Sequence, residues 1–476
     1  MDLVAALAKP RRTALIPGWT FTMPRRNLWL LGASILVCLA CATRVNRYGR
    51  VFAFALEQVH ERSLKELNRG VLFEGALAGM LKQLKDEPST YLAPTFFSKI
   101  EEELNQEFGG IGIEVVLDPD TQQLTVATPM PGSPAEEAGI RPRDRILKIG
   151  PKTTKGLSLY DAAELMKGDI GTEVKLTVQH EAEKEPVEIR IVRARIQRDS
   201  VVGDRRKPDR TWDFFLEDDR RIGYVQIDSF GERTAEELEK AIRALLADGV
   251  QGLILDLRDN HGGLLLPAVA VCDLFISSGE IVTTRGREGR IREDFQARAQ
   301  GTLPDFPVAV LVNEYSASAS EIVAACLQDY NRAAIVGQRT FGKGTVQEIV
   351  RLPPGFGALK VTVASYWRPS GKNINRPPQD QPDGSRSVQA EREADWGVTP
   401  DPGYEVRLDA KQIERLYRWR RQRQLGGSKT GNSAKTAAGK TAETPEPALR
   451  TGVDPQLAKA VEYIRRRVNS PQQVRP

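Results

Sequence analysis

Beyond residue 221 the chain alternates short apolar runs with amphipathic segments, and this alternation constrains the fold more than any other feature of the sequence. The runs at 222–227, 253–257, 308–312 and 333–336 read as strands. Between them, residues 235–246, 265–275 and 319–327 carry helical apolar spacing. Strand and helix in turn predict an α/β core with several parallel strands.

Upstream the texture differs twice. Between residues 51 and 108 the apolar spacing is helical, as in Leu64, Leu67, Val71, Leu72, Ala76, Met80, Leu81 and Leu84, with Pro88 and Pro94 as interruptions. From 108 to about 195 short alternating runs (111–116, 124–127, 145–149, 174–178) are separated by turn residues and two short helical stretches, 135–138 and 159–166. That order suits a small β-sandwich-like module. Residues 426–451 are rich in Gly, Ser, Thr, Ala and Lys with no apolar period, which predicts a linker, and 454–468 fits one last amphipathic helix.

At 476 residues and 40% hydrophobic content the chain can bury at least two cores. Its 68 basic and 63 acidic residues leave a net charge of only +5, spread along the chain, which argues against nucleic acid as a partner. Four cysteines do not make a disulfide framework: Cys38 and Cys41 lie in an apolar run, and Cys272 and Cys326 read as small buried hydrophobes. None of the three histidines, His60, His180 and His261, has a second ligand at zinc-like spacing, so neither metal nor other cofactor is expected.

Residues 28–42, LWLLGASILVCLACA, are uncharged and flanked by Arg25 and Arg26 before and Arg44, Arg47 and Arg50 after. As a helix this run spans roughly 22 Å, short of the ~30 Å hydrocarbon core. Together with Ala40-Cys41-Ala42 that favours a cleaved signal peptide, whereas the long segment before it favours a retained signal anchor. Either version places the remainder in the cell envelope, in the periplasm or on the extracytoplasmic face of the membrane.

Chemistry concentrates in three places. Glu314-Tyr315-Ser316-Ala317-Ser318-Ala319-Ser320-Glu321 follows an apolar strand and opens a helix, where free N–H groups and the positive dipole end suit a developing oxyanion. Taken alone it also fits a Ser-rich helix cap. Downstream, Thr340-Phe341-Gly342-Lys343-Gly344-Thr345-Val346-Gln347 sets a lysine between two glycines. A serine hydroxyl needs a base, and with no plausibly placed histidine a lysine can serve if burial drives its pKa down. The third, Leu255-Asp256-Leu257-Arg258-Asp259-Asn260-His261-Gly262-Gly263, is a strand ending in a Gly pair that can turn a backbone N–H into a site.

The strings LDLRDNHGG, SASASEIVAACLQDY and TFGKGTVQ, in this order, resemble the carboxyl-terminal processing peptidases, the tail-specific proteases of family S41. GVLFEGALAGML, FGGIGI, GSPAEEAGI, IGYVQIDSF and SYWRPSG extend the likeness over residues 71–402, and the strand module resembles a PDZ domain. The resemblance implies a multidomain α+β chain: an α/β protease core (ClpP/crotonase-like), an inserted PDZ domain and an N-terminal hydrophobic segment. It divides the chain into 1–42, signal peptide or signal anchor; 43–106, helical; 107–197, PDZ; 198–423, protease core; 424–452, disordered linker; and 453–476, C-terminal helix and tail.

Carried over by motif, the nucleophile falls on Ser318, 25 residues before the general base Lys343, with Gln347 orienting that lysine. The backbone N–H groups of Gly263 and Ala319 would form the oxyanion hole. Asp329 matches a family acidic position and reads as a structural helix-end partner. Gly110, Ile111, Gly112 and Ile113 stand where a PDZ domain binds a terminal carboxylate while the peptide adds to the sheet edge. Two residues depart from the family pattern: His261 replaces a proline before the Gly pair, and Arg143 a usual PDZ glycine.

The implied activity is a serine endopeptidase cutting proteins with unstructured apolar C-termini, tethered to the membrane by its N-terminal segment. The sequence leaves open homo-oligomerisation, the physiological substrate, and whether the PDZ module inhibits or delivers. A PDZ scaffold or chaperone without activity is the alternative, opposed by retention of Ser318, Lys343 and Gln347 together. Acyl-CoA chemistry on the shared core fold is opposed by the export signal.

Overall fold

The computed structural model describes residues 47–86, 88–118, 121–181, 183, 185–207, 209–377, 395–424 and 453–470. The expected export segment and the linker lie outside these residues. Among the described residues no helix is long and apolar enough to cross a membrane.

Residues up to Gln83 form one unit and those from Leu84 onward a second. The first holds helices α1 (Arg47–Arg62) and α2 (Arg69–Lys82). The helical apolar spacing expected through Leu64 and Leu67 is not realised there, because the Asn68 side chain accepts the Gly70 N–H at 2.7 Å and starts a new helix. Local capping outcompetes the periodicity.

In the second unit, Thr90–Leu92 and α3 (Pro94–Asn105) lead into a small sheet module. Its antiparallel strands run Ile113–Leu117, Leu124–Pro129, Arg145–Ile149, Glu173–Gln179, Val187–Val192 in spatial order. Period-two alternation puts Val174, Leu176 and Val178 inside, against Leu124, Val126, Ile146, Ala162 and Met166. Helices α4 (Pro134–Glu137) and α5 (Leu159–Met166) start on Ser133 and Ser158, whose hydroxyls accept the N–H groups of Glu136 and Asp161. The entering strand Glu107–Gly110 pairs with the leaving strand Ala194–Gln197, so the module is an insertion closed at its neck.

The large core is built on the parallel strands Asp219–Ile227, Gly252–Asp256, Val308–Val312 and Ala334–Gly337, neighbours in that order. They are buried nearly throughout, as parallel strands covered on both faces must be. Helices α6 (Thr234–Ala247), α7 (Leu265–Asp273) and α8 (Ala319–Asp329) pack in one apolar cluster with this sheet, so the expected α/β core is present. Residues of α9 (Ala410–Gln424) and α10 (Pro455–Asn469) join a separate cluster with Ile222, Ile254, Ala309, Leu311 and Val336. In α10, Leu457 and Ile464 are buried, each contributing about 1.5–3 kcal/mol. A second, antiparallel sheet joins Gly279–Arg285, Ile291–Ala297, Thr345–Arg351 and Ala358–Trp367.

Candidate active site

The strand Val308–Val312 ends at Asn313, and the chain turns through the serine segment into α8. Three serines occupy the turn in different ways. Ser316 is fully buried; its hydroxyl donates to the Leu257 carbonyl at 2.8 Å and accepts the Asn313 N–H at 3.0 Å. Ser320 is equally buried, with its hydroxyl on the Asn260 carbonyl at 2.9 Å. Ser318 retains some exposure, caps α8, and has φ 56° and ψ −113°, a strained conformation for a side-chain-bearing residue. Its hydroxyl meets the phenol of Tyr366, which burial pushes up to about 12 while the Ser318 hydrogen bond acts the other way.

The glycine pair lies directly against this turn. A Cβ on Gly262 would sit 2.7 Å from the Ala317 carbonyl oxygen, 2.8 Å from Ser318 Cβ and 3.1 Å from the Ala319 nitrogen, so only glycine fits. Gly263, at φ 147°, is pressed as closely on Phe230, and the Gly262 N–H donates to Asn260 Oδ1 at 2.8 Å. The N–H groups of Gly263 and Ala319 have no acceptor among the described residues. The two free amides thus belong to the residue after Ser318 and to the residue after Gly262, which packs on Ser318 Cβ; a tetrahedral oxyanion needs such a pair of donors. His261 is exposed and packs edge-on to Tyr315 at 6.2 Å.

Lys343 is brought to the same place by a residue that the sequence reading left without a role. Glu321, in the first turn of α8, is fully buried and accepts four bonds: from the N–H of Ser318 (2.8 Å), the Thr340 hydroxyl (2.6 Å), the N–H of Gly342 (2.6 Å) and that of Lys343 (2.8 Å). One carboxylate thus ties the lysine loop to the nucleophile turn. Burial raises the Glu321 pKa and the bonds it accepts pull it back. Gly342 takes φ 84°, and Gly344 has no room for a Cβ against the Asn375 backbone at 2.2 Å, which explains the Gly-Lys-Gly pattern.

Burial drives the Lys343 pKa down, the positive Lys360 adds to the fall, and Glu321 opposes it. Gln347 lies on the next strand, and its amide nitrogen donates to Thr345 Oγ1 at 2.7 Å. Asp329, at the end of α8, is paired with Arg368 at 2.9 and 2.6 Å.

In the small module, Ile111 is buried and Gly112 has φ 74°. Their carbonyls accept the N–H groups of Ala135 and Met130, both at 2.9 Å, and their own N–H groups have no acceptor among the described residues. Gly110 and Ile113 end and begin the flanking strands. Among the described residues Ile113–Leu117 pairs on one side only, leaving an edge. Arg143 takes φ 71°, the region that the usual glycine favours.

The model of peptidase family S41 matches residues 221–384 and that of the PDZ domain residues 125–180. The carboxy-terminal-processing protease of Bartonella bacilliformis is 36% identical over 357 residues, covering 72% of this chain and 77% of the relative. The chain belongs to peptidase family S41. Its relatives in the family include the carboxyl-terminal-processing protease of Synechocystis, 37% identical over 63% of this chain and 68% of the relative. The carboxy-terminal processing protease CtpA of Bacillus subtilis is 34% identical, with 68% and 66% covered. This S41 peptidase carries its PDZ domain as the module inserted ahead of the core.

Proposed function

We propose that the protein is a serine endopeptidase of the cell envelope that cuts proteins near their C-termini, with Ser318 as nucleophile and Lys343 as general base. The observation that carries this reading is the contrast among the three serines. Ser316 and Ser320 spend their hydroxyls on buried backbone carbonyls, whereas Ser318 stands on a strained turn beside two free amides and shares the Glu321 carboxylate with the Lys343 loop.

In this reading neutral Lys343 takes the Ser318 proton as Oγ attacks the scissile carbonyl. The N–H groups of Gly263 and Ala319 receive the oxyanion, and Lys343 returns the proton to the leaving amine. Water then releases the acyl group by the same steps. Gln347 steadies the lysine in this cycle, from its place beside Thr345. Substrate tails bind the Gly110–Ile113 loop by their carboxylate and extend along the edge strand. The uncharged segment at 28–42 supports the envelope location and the membrane tether.

Ser318→Ala should abolish cleavage of an unstructured protein with an apolar C-terminus while leaving circular dichroism unchanged. Ser316→Ala and Ser320→Ala should lose stability, about 1–3 kcal/mol for each buried group left unpaired, and still cleave the substrate. Activity that survives Ser318→Ala and vanishes in either neighbour would refute the assignment.

A further inference from the structure

Beneath the glycine loop lies a buried ion cluster that the last helix completes. Arg258, 1% exposed, follows the strand Gly252–Asp256 by two residues and closes on Asp256 through Nε (2.9 Å) and Nη2 (2.6 Å). Its Nη1 and Nη2 both donate to Asp454 at 2.9 Å, and Nη1 also to Gln456 Oε1 at 3.0 Å. Arg420 of α9 reaches Asp256 at 2.8 Å and Asp259 at 3.4 Å, and the Tyr224 hydroxyl adds a 2.7 Å bond to Asp256. Asp454 is itself 1% exposed and caps α10, accepting the Leu457 N–H at 2.9 Å. Two buried guanidiniums thus face two buried carboxylates, and one of the carboxylates comes from the far end of the chain.

The cluster is continuous with the candidate oxyanion loop. Asp259, at φ 64°, donates its N–H to Asn313 Oδ1 at 3.0 Å, and its carboxylate accepts Asn313 Nδ2 at 2.8 Å and the Tyr417 hydroxyl at 2.7 Å. Asn260 then receives Ala317 N–H and Ser320 Oγ on its carbonyl and sets Gly262 through its side chain. Four residues separate Arg258 from Gly263, and Asp259, Asn260 and Gly262 among them are held by these bonds. Without Asp454, Arg258 would keep as its charged partner only Asp256, which Arg420 shares, and relaxation of its guanidinium toward water would pull on the start of this loop.

We infer that Asp454 is a positioning residue for catalysis: the C-terminal helix, by supplying its charge to Arg258, holds the loop that aims the Gly263 N–H at the reacting carbonyl. This rests on the reading of Ser318 and Gly263 given above. The C-terminal segment is then part of the active-site scaffold rather than a passive tail.

The test uses the full chain and a fluorogenic peptide with a free apolar C-terminus. Asp454→Asn should lower kcat on the order of 100-fold, as a small misplacement of catalytic groups does, with KM unchanged. Affinity for a peptide aldehyde, which forms the oxyanion, should fall in parallel. Asp454→Glu, which keeps the charge, should retain more kcat than Asp454→Asn. Leu457→Ala, which weakens the packing of the same helix and removes no charged group from the ion cluster, should lower Tm and keep kcat.

If Leu457→Ala loses as much kcat as Asp454→Asn, or if Asp454→Asn keeps the parental kcat, the inference is overturned. Should Asp454→Asn not fold, Asp454→Glu against Leu457→Ala decides: a lower kcat in the former at unchanged KM supports the inference, and equal values overturn it. Ser318→Ala is measured alongside. Residual cleavage there overturns the site reading itself, whereas an inactive Ser318→Ala beside a fully active Asp454→Asn overturns only this inference.

Discussion

Ser318 and Lys343 donate their backbone N–H groups to the same oxygen, Oε2 of Glu321, each at 2.8 Å. The two residues are 25 positions apart, and this shared acceptor registers one loop against the other. Glu321→Gln replaces one acceptor oxygen by an NH2 group. If that group takes the Oε2 position, it faces two N–H donors, each costing about 1–3 kcal/mol when orphaned in the interior. We expect a large drop in Tm together with a loss of activity in whatever fraction remains folded. An active, stable Glu321→Gln enzyme would show that the carboxylate does not register the loops.

Lys360 bears on the protonation of Lys343. Burial is the first cause of the depressed Lys343 pKa and the Lys360 charge the second. Since neutral Lys343 is the proposed base, activity should rise with pH through that pKa, on a limb below the ordinary lysine range. Lys360→Met removes a repelling charge, stabilises the ammonium and should shift the limb to higher pH, lowering kcat near neutrality and sparing it at alkaline pH. A pH–rate profile unmoved by Lys360→Met would argue against lysine as the base.

Gly263→Ala tests the glycine loop directly. A Cβ there would lie 2.1 Å from the Phe230 carbonyl oxygen, which also accepts the Leu264 N–H at 2.7 Å. The loop must move, and with it the proposed oxyanion donor. Losing one such donor costs roughly 10²–10³ in kcat, so single-turnover acylation should slow by that order while peptide binding is kept.

The sequence reads most clearly where one element carries its own pattern. The four parallel strands and α6, α7 and α8 lie within about three residues of their expected spans, because apolar runs and helical periods are local signals. Helix α9 escaped the reading: AKQIERLYRWRRQRQ has few apolar positions, and its Arg420 and Arg423 are engaged in ion pairs with Asp256 and Asp204. The strand Ile291–Ala297 is charged and largely exposed, so it shows no alternation either. Within the site, the serine turn, the glycine pair and Gly-Lys-Gly were visible as strings. What Glu321 and Asp454 do was not, because their partners lie 22 and 196 positions away and a lone acidic residue announces no partner.

Tail recognition makes the remaining prediction. In the proposed reading the N–H groups of Ile111 and Gly112, without acceptors among the described residues and beside the edge strand Ile113–Leu117, receive the peptide carboxylate. A peptide with an apolar residue and a free carboxylate at its end should be cut better than the same peptide amidated, because amidation removes the charge that these amides receive. Gly112→Ala places a Cβ 2.4 Å from Ser133 Cβ at a backbone φ of 74°, so it should distort the receptor without touching Ser318. The variant should cut the amidated peptide as the parent does and lose its preference for the free acid. That pattern, read as the ratio of kcat/KM for the two peptides, separates capture by the module from chemistry at the serine. Equal rates on both peptides with the intact protein would remove the module from substrate recognition and leave the Ser318 chemistry to be judged on its own variants.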